Sequence, residues 1–530
     1  MTPHLNSFVR DERIISRARK TGILAKNPLK IGLASSEFGA IICNVFSEKQ
    51  AFSPENLANS HAMKPKNTQQ AAESSQLRLF QSRLDSQLDP DHPLFRLADA
   101  IKWGRFDEAY APLYCEDNGA PALPTRLMVG LEYLKYTYNL SDEELVARWL
   151  ENPYWQYFCG EIYFQTEPPL HYTSLGKWRL RIGPDSLKLL LEETVRIAKE
   201  KKFVTEKDLS RVIVDTTVQE KNITFPTDAK LLSRAIIKLG KFSLHHEIKL
   251  RQSYARKAKQ TARKASGYAS ARQFGRLKRC NQDLKNWLGR ILRDIERNRG
   301  NTVLSANFLS LIETAKKLLL QEKNTPKKIY SLHELGVQCI GKGKDRIRYE
   351  FGNKAAIVVT NNRNWIVNVE DLPDNPYDGH TLNISIIGTE KITKVPVVEG
   401  NTDKGYRKHD YKGPATIRLA GSSNAALSFS ERKRKRRRSA IEPVIGHLKS
   451  DHRLDRCFLK GRVGDANNLI GSAAGFNMRK LLRLLGRGIY SHALTFLALF
   501  GRFWATVADA FRLAWPIFSP THRILMTPGP

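Results

Sequence analysis

From about residue 76 to 205, apolar residues recur at intervals of three and four. The segment "PTRLMVGLEYLKYTYNLSDEELVARWLENPYWQYFCG" at 124–160 carries the pattern most clearly, so this part of the chain is predicted to be helical. Within it, "LSDEELVARWL" opens a helix with Ser141 as its N-cap and acids in the first turn. The period changes at "RVIVDTTVQEKNITF". Val212, Ile213 and Val214 form a short continuous apolar run, the mark of a buried strand, and Asp215 stands at its end. A helical period returns over 229–328, where Asp228 reads as an N-cap and Gly267 and Gly275 as candidate breaks. After residue 330, "EFGNKAAIVVT" and "NWIVNVED" read as strands, "DGHTLNISIIGTEKIT" as a helix and "KVPVVEG" as a further strand. "NTDKGYR" follows directly, and 441–485 is helical. Taken in order, these elements predict an α/β core with a large helical block inserted after its first strand.

The ends differ from this interior. Residues 1–75 close in "MKPKNTQQAAESSQ", a polar stretch expected to be a poorly ordered extension and linker. The expected units are then 76–205, helical; 206–228 with 329–485, the α/β core; 229–328, a basic helical insertion; and 486–530, an apolar and basic tail. The most apolar stretch of that tail, "ALTFLALF", is broken by Gly501 and Arg502 and falls short of the roughly 18 residues of a membrane span. No CxxC pair occurs among Cys43, Cys115, Cys159, Cys280, Cys339 and Cys457, so neither a zinc ribbon nor a disulfide framework is indicated. A reducing cytoplasm fits.

Charge narrows the function. The chain carries a formal net charge of +33 with a pI near 9.9. Such an excess repels itself unless a polyanion lies nearby, and nucleic acid is the common one. The densest part is the run Arg432 to Arg438, "RKRKRRR", and a single carboxylate, Glu442, follows it on a predicted helix. One acid cannot neutralise seven cations. A second role is open to it: Asp215 and Asp403 each follow a predicted strand, and a helix packed against them would bring Glu442 to the same place. Three carboxylates at one point repel unless a cation joins them, and oxygen-only ligands favour Mg²⁺ or Mn²⁺. Two such ions would activate water for phosphodiester cleavage. Spacing alone leaves this open, since an aspartate after a strand is commonly a turn or cap residue and 53 acids offer many triplets. Asp378 in "PYDGHTL" is the rival second acid, although Asp-Gly more often marks a turn. Trp149, Trp155 and Trp178 are expected to pack the N-terminal helices, with a DNA contact of Trp178, beside Arg179 and Arg181, as the alternative. "GKGKDR" at 341–346 lacks the spacing of a nucleotide P-loop, so no ATP site is expected.

Three blocks, "VIVDTTVQEKNITFPTDAKLL", "NTDKGYR" and "RSAIEPVIGHLKSDHRLDRCFLKGRVGDANNLIGSAAGFNMRKLLR", resemble the catalytic blocks of bacterial insertion-sequence transposases of the acid-triad (DDE) type, in the insertion-sequence-5 family. "LSDEELVARWLENPYWQYFCG" with "SLGKWRLRIG" resembles that family's N-terminal domain, and "HELGVQCIGKGKDRIRYEFGNKAAIVVT" with "NPYDGHTL" resembles its middle. The resemblance covers roughly residues 76 to 485, in the family's order. It implies a ribonuclease-H-like catalytic core, with Asp215, Asp403 and Glu442 as the catalytic acids and as the ligands of Mg²⁺ or Mn²⁺, two ions being expected. The family's signature around the third acid is matched by Arg438, Glu442 and Lys449. Its tyrosine position holds Lys435, a departure that leaves the tyrosine's phosphate contact to a lysine or unmade.

The expected partner is therefore double-stranded DNA, both element ends and target, bound by a homo-oligomer without a membrane. Arg434, Lys435, Arg436, Arg437, Arg438 and Lys449 are the expected phosphate contacts. The expected place is the bacterial cytoplasm, on the nucleoid. Rival readings are a nuclease of the same fold and a DNA-binding repressor or relic that does not cut. Residues 1–62 carry no part of the resemblance, and Met63 precedes the linker. A protein begun at Met63 is expected to fold and to bind DNA as well as the full chain. Loss of solubility or of DNA binding in that truncation would refute this.

Overall fold

The computed structural model describes residues 82–115, 121–341, 348–425 and 427–486. The extension over 1–75, the tail beyond residue 486 and most of the "GKGKDR" loop lie outside the described residues. Helices Leu84–Gln87, Pro93–Ala100, Gly104–Tyr110, Thr125–Thr137, Asp142–Glu151, Pro153–Phe158 and Thr173–Glu200 build the N-terminal part. Their ends follow local chemistry. Ser141 Oγ accepts the Glu144 N–H at 3.1 Å. Asn152 caps the next helix, whose first position is Pro153, where a missing N–H costs nothing. The long helix bends at Gly183, where φ is +70°, a setting that residues with a Cβ adopt only under strain, and Pro184 restarts it.

Trp149, Trp155 and Trp178 are buried between these helices. Arg179, beside Trp178, is only 2 % exposed. Its Nη2 lies 2.8 Å from Glu132 and 2.7 Å from Asp142, and Lys135 Nζ reaches Asp142 at 2.9 Å. Burial, with the charge of Arg179 adding to it, pulls Lys135 down to about 8. Burial works against the charge of Asp142 as well, but Arg179 and Lys135 outweigh it and hold that carboxyl well below its usual range. The four charges tie three helices together in the interior.

The sheet is made of β1 (Arg211–Lys221), β2 (Gln338–Gly341), β3 (Tyr349–Thr360), β4 (Ile366–Leu372), β5 (Glu399–Thr402), β6 (Thr416–Leu419) and β7 (Arg456–Cys457). β1 is central. One edge pairs antiparallel with β3, and β3 pairs on its far edge with β2 and β4. The other edge of β1 pairs in parallel with β5 at Arg211–Ile213 and with β7 at Glu220 and Lys221, and β6 lies beyond β5. Asp215 therefore stands in the middle of β1, not at the end of a strand: the chain stays extended beyond the apolar run, with Thr217, Val218 and Gln219 buried.

The strand expected at "KVPVVEG" starts later, at Glu399. Pro396 has no N–H to donate, and the N–H groups of Val398 and Glu399 both go to Ser210 O, so the ladder begins only there. Thr227, not Asp228, caps the first inserted helix, with its Oγ1 accepting the Lys230 N–H.

The insertion comprises helices Asp228–His245, Ala255–Ser270, Phe274–Asn298 and Ala306–Leu320. Its break falls at Ala271–Gln273, where Arg272 has φ +55°; Gly267 lies inside one helix and Gly275 inside the next. Leu232, Ile236, Leu284, Ile291 and Phe308 belong to a core of its own. The N-terminal helices, by contrast, share one continuous core with the sheet and with the helix over 461–486. The change near residue 205 is thus a change of element type and not a break in packing. Gly475 lets the last helix approach closely, since a Cβ there would lie 2.6 Å from the backbone of Tyr136. Asn477 takes the N–H and C=O of Ile366 at the start of β4.

Replacing Arg179 by Met would leave Glu132, which has no exposed surface, without its counter-charge. Breaking a buried ionic group in this way costs about 3–5 kcal/mol. Urea unfolding of Arg179→Met is expected to show a destabilisation of that size, and an unchanged midpoint would show that the cluster contributes little.

Candidate active site

Register explains why two distant aspartates meet. In the parallel pairing of β1 with β5, Arg211 faces Glu399, Val212 faces Gly400 and Ile213 faces Asn401. Continuing that offset by two residues brings Asp403 level with Asp215. β5 ends at Thr402, so neither aspartate is closed over by strand pairing on that side. The third acid arrives on a different element. Helix Phe429–Arg436 runs into a 3₁₀ turn, Arg437–Ala440, and then into helix Ile441–Asp451, whose first turn holds Glu442.

One side chain joins all three. Arg438 Nη2 lies 3.0 Å from Asp215 Oδ2 and 3.6 Å from Asp403 Oδ2, and Nη1 lies 3.1 Å from Glu442 Oε1. The acids are graded in exposure, at 15 % for Asp215, 45 % for Asp403 and 62 % for Glu442. Asp215 also accepts the Thr216 N–H at 2.8 Å, and Asp403 accepts the Lys404 N–H. Burial raises the Asp215 carboxyl above its ordinary value; Arg438 and the Thr216 N–H oppose this, while Asp403 and Asp378 add to it.

Asp378 stands close by without joining Arg438. It accepts a hydrogen bond from Thr216 Oγ1 at 3.0 Å and pairs with Lys354 Nζ at 2.5 Å. Tyr406 is 1 % exposed, and burial with Asp215 and Asp378 pushes its phenol well above the ordinary value. Its hydroxyl has no hydrogen-bond partner among the described residues. Sequence reasoning passed over Tyr406 although it lies inside "NTDKGYR", because an aromatic beside a strand end looks like core.

The basic run is not one surface. A helix turns through 3.6 residues, so seven consecutive side chains point all round it. Arg434 Nε pairs with the buried Glu399 at 2.9 Å. Lys435 Nζ donates to Ser422 O at 2.7 Å and to Asn424 Oδ1 at 2.9 Å. Arg437 Nε donates to Asn361 O at 2.7 Å, and Arg438 serves the acids. Arg432, Lys433 and Arg436 are the exposed members. Lys449, two turns beyond Glu442, is half-buried and acts on Glu220.

A divalent ion suits this site in donor type. The three side chains supply only carboxylate oxygens, all turned toward one cationic centre, and the unpaired Tyr406 hydroxyl is buried beside them. Among the described residues, no group of three or more His, Cys, Asp or Glu side chains is gathered closely enough to hold a metal ion, and Arg438 stands between these three acids. An ion taking these oxygens would replace the guanidinium.

Two domain families match the chain. The Transposase domain (DUF772) matches residues 82–181, and the Transposase DDE domain matches residues 401–482, a span that holds Asp403, Arg438 and Glu442. The chain is 50 % identical over 196 residues to "Uncharacterized protein ORF8 in nfe locus" of Rhizobium meliloti, a match covering 37 % of this chain and 94 % of that relative. No solved structure matches.

The graded exposure sets unequal stability effects. Arg438→Ala removes the counter-charge of a largely buried Asp215 and is expected to cost about 1–3 kcal/mol in metal-free buffer. Glu442→Gln loses only an exposed i,i+4 pair and is expected to cost about 0.5 kcal/mol or less. Urea unfolding of both in EDTA checks this, and equal losses would contradict the grading.

Proposed function

We propose that this chain, which belongs to the DDE-type transposases, cuts and joins DNA at the site formed by Asp215, Asp403 and Glu442. The observation that carries this reading is the meeting of three acids, from β1, from the end of β5 and from a helix, on the single guanidinium of Arg438. The strand order β4–β3–β1–β5–β6, with the first three antiparallel and the last two parallel to β1, supports a ribonuclease-H-like core. The insertion-sequence-5 branch, the bacterial nucleoid as the place of action and a homo-oligomer that joins two element ends belong to the same reading.

Divalent ions held by the three carboxylates, Mg²⁺ or Mn²⁺ and two in number, would activate water and stabilise the leaving oxygen. Asp215 sits on the most rigidly paired strand and fixes the position of the site. Asp403 follows from register, and Glu442 completes the set from a helix whose first turn is exposed enough to adjust. Arg438, once released from the carboxylates, is placed to pair with a phosphate, the partner for which a planar guanidinium is well shaped. Arg432, Lys433 and Arg436 offer further phosphate contacts beside it. The presence of all three acids supports an enzyme over a DNA-binding relic.

Glu442→Gln, Asp215→Asn and Asp403→Asn are each expected to lower Mg²⁺-dependent nicking of an element-end duplex by orders of magnitude. Duplex binding should persist or tighten, because a negative charge near the phosphates is gone. Joined products from the wild type would separate transposase from nuclease. Near-normal nicking by folded Glu442→Gln would remove that residue from the site.

A further inference from the structure

A second positively charged site lies at the other end of β1. A cleft of about 690 Å³ is lined by Asn222, Thr224, Phe225, Arg234, Lys238, His333 and Arg456, along with Ile223. No Asp or Glu lines it. Arg234 and Lys238 are four residues apart on helix Asp228–His245 and share its face toward the cleft. Like charges at that spacing destabilise a helix, and neither residue has an ion pair among the described residues. Arg234, Lys460 and Lys241 add their charge to the burial that lowers the Lys238 ammonium, and Lys238, Arg234 and Lys460 do the same to His333. Two members have an acid in reach: Glu334 acts against this on His333, and Arg456 acts on Glu220. Arg234, Lys238, His333, Arg456 and Lys460 are all open to solvent. The protein thus holds more cations than acids in a concave, wet place, with Arg234 and Lys238 unpaired among the described residues and an amide and a hydroxyl beside them.

The geometry points to this cleft as a second DNA-backbone site, taking a phosphate of the duplex that is cut at the three acids. This rests on the DNA-processing reading above and adds a position to it. Asn222 follows Asp215 by seven residues of extended chain, about 23 Å at ~3.3 Å per residue. Successive phosphates on one strand advance ~3.4 Å along the duplex axis. For a duplex lying along β1, the phosphate held there lies roughly seven nucleotides from the scissile one. The insertion helix that supplies Arg234 and Lys238 belongs to a separate core, so the cleft joins two parts of the protein onto one stretch of backbone.

The test uses the full chain with Arg234→Ala and Lys238→Ala combined. Alanine favours the helix and removes a repulsion, so folding is expected to be kept, with a melting temperature no lower than that of the wild type. On a duplex of roughly three helical turns, the slope of log affinity against log salt should fall by about 0.9, the value for one phosphate that is no longer neutralised. Ethylation of phosphates six to eight nucleotides from the nick should impair binding by the wild type and leave the double variant unaffected. A folded variant with the wild-type slope and the wild-type interference pattern would overturn the cleft while leaving the transposase reading intact. Failure of the wild type itself to bind any duplex would overturn both.

Discussion

The site is governed by mutual repulsion among three carboxylates brought to one point. Two unit charges about 4 Å apart oppose each other by roughly 4 kcal/mol in a medium of effective dielectric 20, typical near a protein surface. Acids gathered round one counter-charge repel one another, and the repulsion acts on the strand, the loop and the helix that carry them. Arg438 answers this from within the chain. Its two terminal nitrogens reach all three acids, and its place one helical turn before Glu442 lets a single backbone segment bring both the third acid and the counter-charge. One guanidinium offsets part of the charge only. Burial raises the Asp215 carboxyl first of all, and Asp403 and Asp378 add to it. The site is short of positive charge, and that shortage is what a divalent ion would meet.

The rest of the fold keeps this arrangement stiff where it must be. β1 is paired along most of one edge and at both ends of the other, and the stretch left open between β5 and β7 is where Asp215 lies. Lys221, at the end of β1, is held by Asp465 at 2.7 Å and by Glu334 at 3.3 Å, so the far end of the strand is fixed by charge as well as by packing. The N-terminal helices add the mass of the shared core, and Asn467 Nδ2 bonds to the carbonyl of Arg179, linking the last helix to the buried ionic cluster. Stiffness at β1 and exposure at Glu442 are complementary. An acid on the central strand sets the position, and an acid on a helix start can shift to suit what binds.

Much of this was legible in the sequence because the strongest signals are local. The continuous run Val212–Val214 identifies the central strand, and the cap at Ser141 identifies a helix start, since each depends on neighbours in the chain. What escaped depends on partners far away. Whether "KVPVVEG" or "EGNT" forms the strand was decided by the missing N–H of Pro396 and by the carbonyl of Ser210. The burial of Arg179 depends on Glu132 and Asp142, far off in the chain, which surround it. The run of seven cations showed its charge but not which members turn inward, because that is set by Glu399, Asn361 and the acids themselves.

That division of the basic run changes where the protein's excess charge acts. Four of the seven cations between Arg432 and Arg438 have strong partners inside the protein, so the densest charge in the sequence is in good part a structural device. Arg434, with Arg418, neutralises Glu399 under β5, and Arg437 ties the turn to Asn361 and Asn364 beyond β3. The charge left for a polyanion lies elsewhere: on the exposed side of that run, and on the inserted helices, where the apolar stripe faces the insertion's own core and the lysines and arginines face water. A long anion lying along β1 would meet the acid centre near the strand's middle and the cations at its end. Positive charge distributed in this way would hold a backbone at several points without crowding the three acids.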